Sequence, residues 1–215
     1  MALGEKNGTP LDLVRTADGK LLAHIGFGWD AASELGGLNL DASVIMLGAN
    51  DMPRTPKDLY FYNHCYEGHD FGNFDYDLQK KSPIIFKEYW GGDFEDDEAV
   101  LIDFSKIPAD IEKLVVILTI YDADKKGACF KHVSNAYVRV CTYMDEGTWL
   151  YSGDGKQILR FDLSEEESRV NAIALLLCEI VRNGDEWRFH KLAEPVGDGS
   201  DFNGLIPVAK KCGLV

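Results

Sequence analysis

Ala172-Ile-Ala-Leu-Leu-Leu-Cys-Glu-Ile-Val-Arg-Asn-Gly-Asp-Glu-Trp-Arg-Phe189 admits two readings. Its first half is rich in strong helix formers, and Ser164-Glu-Glu-Glu167 upstream has the form of a capping box, so local propensity alone predicts a helix. The second half answers differently. Asn183-Gly184 is the dipeptide that two-residue hairpin turns favour, and Trp187 and Phe189 then alternate with charged residues. A turn at 164–168 followed by a hairpin is the reading adopted here, and it leaves the chain without a long helix.

The neighbouring segments agree with that reading. Leu114-Val-Val-Ile-Leu-Thr-Ile-Tyr121 is continuously apolar and β-branched, the pattern of a central strand buried on both faces. Ser134-Asn-Ala-Tyr-Val-Arg-Val-Cys-Thr142 alternates instead, with Ala136, Val138 and Val140 on one side. Further strands are expected at Leu11–Arg15, Leu21–Phe27, Ala42–Leu47, Leu59–Tyr62, Ala99–Phe104 and Gln157–Leu163. The expected fold is all-β, an antiparallel β-sandwich of two packed sheets, with a short C-terminal helix over Gly204–Cys212. One domain spans 1–215, with an irregular insertion at about 64–90.

The 215 residues carry 22 Lys and Arg against 36 Asp and Glu, a formal net charge of −14. Such a chain repels phosphate backbones and anionic lipid heads, so no nucleic acid and no direct membrane insertion are expected. No apolar run approaches the ~20 residues a spanning helix needs. The first ten residues lack the basic start and apolar run of a signal peptide, and five scattered cysteines without a C-x-x-C pair fit reduced thiols. A cytoplasmic location is the expectation.

The acidity is clumped. Gly91-Gly-Asp93-Phe-Glu-Asp96-Asp97-Glu98-Ala-Val-Leu-Ile-Asp103 holds six acids and no base in thirteen residues, just before an apolar strand. Consecutive carboxylates repel one another unless something neutralises them. A hard cation such as Ca²⁺, with six to eight oxygen ligands, does so, whereas a solvated acidic loop tolerates the repulsion in water. Two other carboxylates are placed to close the same site: Asp30, at the end of Gly26-Phe-Gly-Trp-Asp30, and Asp41, on the same strand face as Asn39.

Competing chemistry is thin. Asp122-Ala-Asp124-Lys-Lys-Gly127 begins like a helix–loop–helix calcium loop, but Lys126 and Val133 stand where oxygen donors are needed. His64 and His69 beside Cys65 are the only histidines near metal-ligand spacing. There is no G-x-S-x-G elbow, P-loop, dinucleotide fingerprint or H-E-x-x-H, so the chain is not expected to be an enzyme. A hydrolase using Asp96, Asp97 or Cys65 is the minor alternative.

Several motifs in order resemble one family. Gly26-Phe-Gly-Trp-Asp30, Leu40-Asp-Ala-Ser43, Phe61-Tyr-Asn63, Gly92-Asp93, Asp96-Asp-Glu98, Ile102-Asp-Phe-Ser-Lys-Ile-Pro108, Thr119-Ile-Tyr-Asp-Ala123, Val133-Ser-Asn-Ala136, Phe161-Asp-Leu163 and Asn183-Gly-Asp-Glu-Trp-Arg-Phe189 are similar to those of TerD-family proteins, the tellurium-resistance and stress-response group. The resemblance covers roughly residues 10–214. It implies a β-sandwich without established enzymatic activity that binds Ca²⁺ through acidic loops and works with other proteins of a stress-resistance complex. The cation role is carried onto Asp30, Asp41, Asp93, Asp96, Asp97 and Glu98. This chain departs from the family pattern in having only Phe94 and Glu95 between Asp93 and Asp96, and Asn39 in place of the usual Asp. The alternative function is an assembly module whose acidic surface and aromatic-rich residues 60–94 dock a partner independently of metal.

Overall fold

A computed structural model describes residues 8–31, 35, 37–61, 82–88, 96–142, 156–163 and 171–196. The ambiguous segment is a hairpin. Strands β10 (Ala174–Asn183) and β11 (Glu186–Val196) run antiparallel, with Asn183 opposite Glu186. The two-residue loop is Gly184-Asp185, one residue beyond the turn signal, and of the pair only Gly184 has positive φ, at 66°. That is the demand of a type II′ turn, which wants Gly at its first central position. Helix propensity loses because Ala174–Val181 is buried continuously, between strands on both sides.

Two antiparallel sheets form the molecule. In the six-stranded sheet the order is β1 (Thr9–Pro10), β11, β10, β7 (Ile111–Ile120), β3 (Leu40–Gly48) and β4 (Leu59–Tyr60). The five-stranded sheet runs β5 (Ile84–Glu88), β6 (Glu98–Asp103), β2 (Leu22–Ala31), β8 (Val133–Thr142) and β9 (Gln157–Asp162). Ile25, Phe27, Val100, Val138 and Val140 from one sheet meet Val44, Leu114, Val116, Leu175 and Phe189 from the other in a shared core. β7 is buried on both faces, as its unbroken apolar run requires. Leu114, Val116 and Leu118 point into the sandwich, while Val115 and Ile117 join Ile45, Leu47, Ala174, Leu176 and Val196 on the opposite face.

That second face also holds a buried ion cluster. Lys113 Nζ lies 3.0 Å from Glu179 Oε2 and 3.0 Å from Asp51 Oδ1, with only 1% of the lysine side chain exposed. Burial alone would lower the lysine's pKa; its bonds to Glu179 and Asp51 outweigh that and raise it.

Leu11–Arg15 is not a strand. Edge pairing stops just past Pro10, where the Leu11 N–H still donates to Trp187 O at 2.9 Å, and the chain then tightens, with Leu13 N–H donating to Leu11 O at 2.7 Å and a turn closing at Gly19. Conversely, the stretch expected to be irregular contains β5, a full edge strand on β6. A single helical turn, α1 (Ala123–Lys126), lies between two left-handed residues, Asp122 and Gly127. The C-terminal helix expected at Gly204–Cys212 falls outside the described residues. Among these residues no helix is long and apolar enough to cross a membrane.

Candidate functional site

β2, β6 and β8 bring most of the predicted acids to one end of the sandwich, together with the start of β3. The three consecutive acids enter three different environments, because Asp96 and Asp97 precede β6 and only Glu98 follows the alternation of that strand.

Asp96 goes to the outer face of the five-stranded sheet. On β2, Ile25 and Phe27 enter the core, so His24, Gly26 and Gly28 face the other way. Gly26 pairs with Arg139 and Gly28 with Tyr137. Into the space over these glycines comes the Asp96 carboxylate. A Cβ at Gly26 would lie 2.2 Å from Asp96 Oδ2, and one at Gly28 2.3 Å from the Tyr137 ring. Arg139 grips the carboxylate in a bidentate pair, Nε to Oδ1 at 2.7 Å and Nη2 to Oδ2 at 2.8 Å. His24 Nε2 lies 2.8 Å from Oδ2, and the Tyr137 hydroxyl donates to Oδ1 at 3.1 Å. Burial opposes ionisation of Asp96, but the bonds from His24 and Arg139 hold its carboxyl below the usual range. Both oxygens of Asp96, one of the predicted cation ligands, are thus engaged by these side chains.

Glu98 points between the sheets. Both its oxygens accept the Ala42 N–H, at 3.1 and 2.9 Å, so a carboxylate on β6 takes a backbone donor of β3. β4 pairs only with Val44 and Ile45, so it leaves that edge of β3 open at Ala42. Next to Ala42, Asp41 is also buried and accepts from Asn39 Nδ2 at 3.2 Å, as the shared strand face predicts.

Asp97 stays exposed, between the other two. Its Oδ2 accepts the Trp29 N–H at 2.8 Å, and its own N–H donates to Phe27 O. Asp30 Oδ2 accepts from Asn135 Nδ2 at 2.6 Å, Asn135 being held at a positive φ of 51°. Neither Asp30 Oδ1 nor Asp97 Oδ1 receives a hydrogen bond from a described residue. Partial burial, with repulsion from Asp30 and Asp96, raises the Asp97 pKa against the opposing Trp29 N–H.

Asp93 lies outside the described residues, as do His64, Cys65 and His69. Among the described residues no group of three or more His, Cys, Asp or Glu side chains converges as a metal site. Asp122 is drawn into an ion pair with Lys125 at 2.9 Å. Sequence reasoning missed His24, Tyr137 and Arg139. Its one available signal was the spacing His24-x-Gly26-x-Gly28, small residues on the strand face opposite Ile25 and Phe27, where something must approach closely.

The sequence profile of the TerD domain matches residues 1–207. General stress protein 16U of Bacillus subtilis (strain 168) is 31% identical over 100% of this chain and 98% of its own length. Tellurium resistance protein TerD of Alcaligenes sp is 29% identical, again over 100% of this chain and 98% of the relative. The crystal structure of a telluride resistance protein (TerD) homologue from Streptomyces coelicolor A3(2) shares the fold, with a TM-score of 0.53 at 18% identity over 88% of this chain and 96% of that one. With the ordered motifs on the strand ends described above, these matches make the chain a member of the TerD domain family of tellurium-resistance and general stress proteins.

Proposed function

We propose that the acidic end of the sandwich binds Ca²⁺ and that the chain acts without enzymatic activity, in the cytoplasm, as a calcium-stabilised member of a stress-resistance protein complex. The observation that carries this is the Asp30–Asp97 pair: two mutually repelling carboxylates, each anchored through one oxygen and each keeping the other oxygen unbonded among the described residues. Hard oxygen donors without sulfur or imidazole suit Ca²⁺ over softer metals. Asp41, Asp93 and Glu98 are the further candidate donors. Asp96 serves the site from behind by fixing the start of β6 to Arg139.

The test is thermal unfolding of chelator-treated protein with and without excess calcium. At 100 times its Kd the ion adds about 2.7 kcal/mol, which for a chain of this length raises Tm by about 5–11 °C. Asp30→Ala with Asp97→Ala is expected to abolish that rise. A wild-type Tm indifferent to calcium, or a rise that survives in the double variant, overturns the reading; a salt-sensitive, calcium-independent complex in pull-downs would then favour the assembly module.

The raised Asp97 pKa has a definite sign. A carboxyl whose folded pKa lies above its unfolded value contributes stability below the unfolded pKa and loses it as pH rises through the folded one. Without calcium, the Asp97→Asn variant is therefore expected to lack a small acid-side gain in Tm that the wild type shows, as read from melts between about pH 4 and 7.

A further inference from the structure

Away from the acidic pair, the segment between α1 and β8 brings a thiol to an imidazole. Cys129 is extended, with φ −153° and ψ 173°, and precedes one 3₁₀ turn, Phe130–His132. Phe130 is fully buried, and its N–H donates to Ala172 O at 3.0 Å, which ties the turn to the chain entering β10. The His132 ring folds back so that Nδ1 accepts the Cys129 N–H at 3.1 Å, with Cys129 Sγ 3.8 Å from the same nitrogen. Asn171 Oδ1 lies 3.8 Å from the sulfur on another side. Because Nδ1 is an acceptor here, the ring proton sits on Nε2 and the Nδ1 lone pair is directed toward residue 129. The backbone geometry would serve Ser or Thr equally well as a cap. What Cys and His add is a nucleophile beside a proton acceptor.

The other described cysteines contrast with this one. Cys141 is 1% exposed and Cys178 0%, and burial pushes the Cys178 thiol up. Cys129 is 9% exposed, flanked by half-buried His132 and exposed Lys131 and Asn171.

We propose that Cys129 is an oxidative modification site, its thiol oxidised by hydrogen peroxide with His132 as the proton acceptor. The thiol proton passes to His132 Nδ1, displacing the Cys129 N–H, and the sulfur attacks one peroxide oxygen. The O–O bond breaks, and the departing hydroxide takes the proton from Nδ1 to form water. Sulfur is oxidised by two electrons to the sulfenic acid, and the peroxide is reduced to water. Asn171 Oδ1 is placed to accept the new S–O–H.

The experiment treats the folded full-length chain with hydrogen peroxide in the presence of dimedone, which traps sulfenic acids, and maps the modified cysteines by peptide mass spectrometry. Cys129 is expected to be labelled about a hundredfold faster than Cys141 and Cys178, which react only when the fold opens. His132→Gln is expected to slow Cys129 labelling about tenfold. A Cys129 rate no greater than that of Cys141 and Cys178 overturns the proposal, and that comparison needs no variant. So does a folded His132→Gln protein whose Cys129 is labelled at the wild-type rate.

Discussion

Asp96→Ala is expected to cost about 3–5 kcal/mol of folding stability, because it takes the bidentate carboxylate from Arg139, whose side chain is only 12% exposed, and removes the group that fills the space over Gly26. The same change one residue on, Asp97→Ala, is expected to stay within about 0.5 kcal/mol of wild type in calcium-free buffer, since that side chain is exposed and self-repelled. Urea unfolding of the two variants side by side checks both. An Asp96→Ala protein within 1 kcal/mol of wild type would mean that the four-way pairing does not hold in solution. Acid titration adds a second reading. The folded Asp96 pKa is depressed, so its contribution is complete above the unfolded value near 3.9 and is lost as pH falls through the folded one. Asp96→Asn is expected to remove that part of the acid dependence while nearly preserving side-chain volume.

Lys113→Ala is the second large effect, again about 3–5 kcal/mol. It leaves Glu179 buried and Asp51 mostly so, with no cation between them, on a face otherwise built from Val115, Leu47 and Leu176. The raised lysine pKa sets the sign at the other end of the pH scale: its contribution is complete below the unfolded value near 10.4 and is lost as pH rises through the folded one. Lys113→Met with Glu179→Leu is expected to recover part of the loss, because it removes the more deeply buried of the two unpaired carboxylates and leaves only Asp51, which is 14% exposed. Equal instability in the single and double variants would show that the cost lies in packing rather than in unpaired charge.

Strand identity was legible where it depended on neighbours along the chain. β7 and β8 declare themselves through one continuous and one alternating run, and the hairpin through Asn183-Gly184. β5 does not, because Ile84-Ile-Phe86 is too short to show a period and becomes a strand only by pairing with Ile102, Leu101 and Val100. The acidic end was legible as composition and illegible as geometry. Asp96, Asp97 and Glu98 differ little as letters, yet one faces Arg139, one faces solvent and one faces Ala42. The deciding partners lie 72, 41 and 43 residues away for Asp96 alone, and nothing local in the sequence announces them.

The order of strands in the two sheets has a kinetic consequence. β2 must find β8, bringing together Asp30 and Ser134, 104 residues apart, and β1 must find β11 across a separation of 180 from Gly8 to Arg188. Among the described strands only β10 and β11 close through a loop as short as Gly184-Asp185. The hairpin is therefore the natural early structure, and the sheets complete themselves by slow search between distant segments, placing refolding in about the millisecond-to-second range of non-local β proteins. During that interval the outer edges of β10 and β11 stand unpaired, so a freshly made chain passes through its most association-prone stage before β7 and β1 arrive.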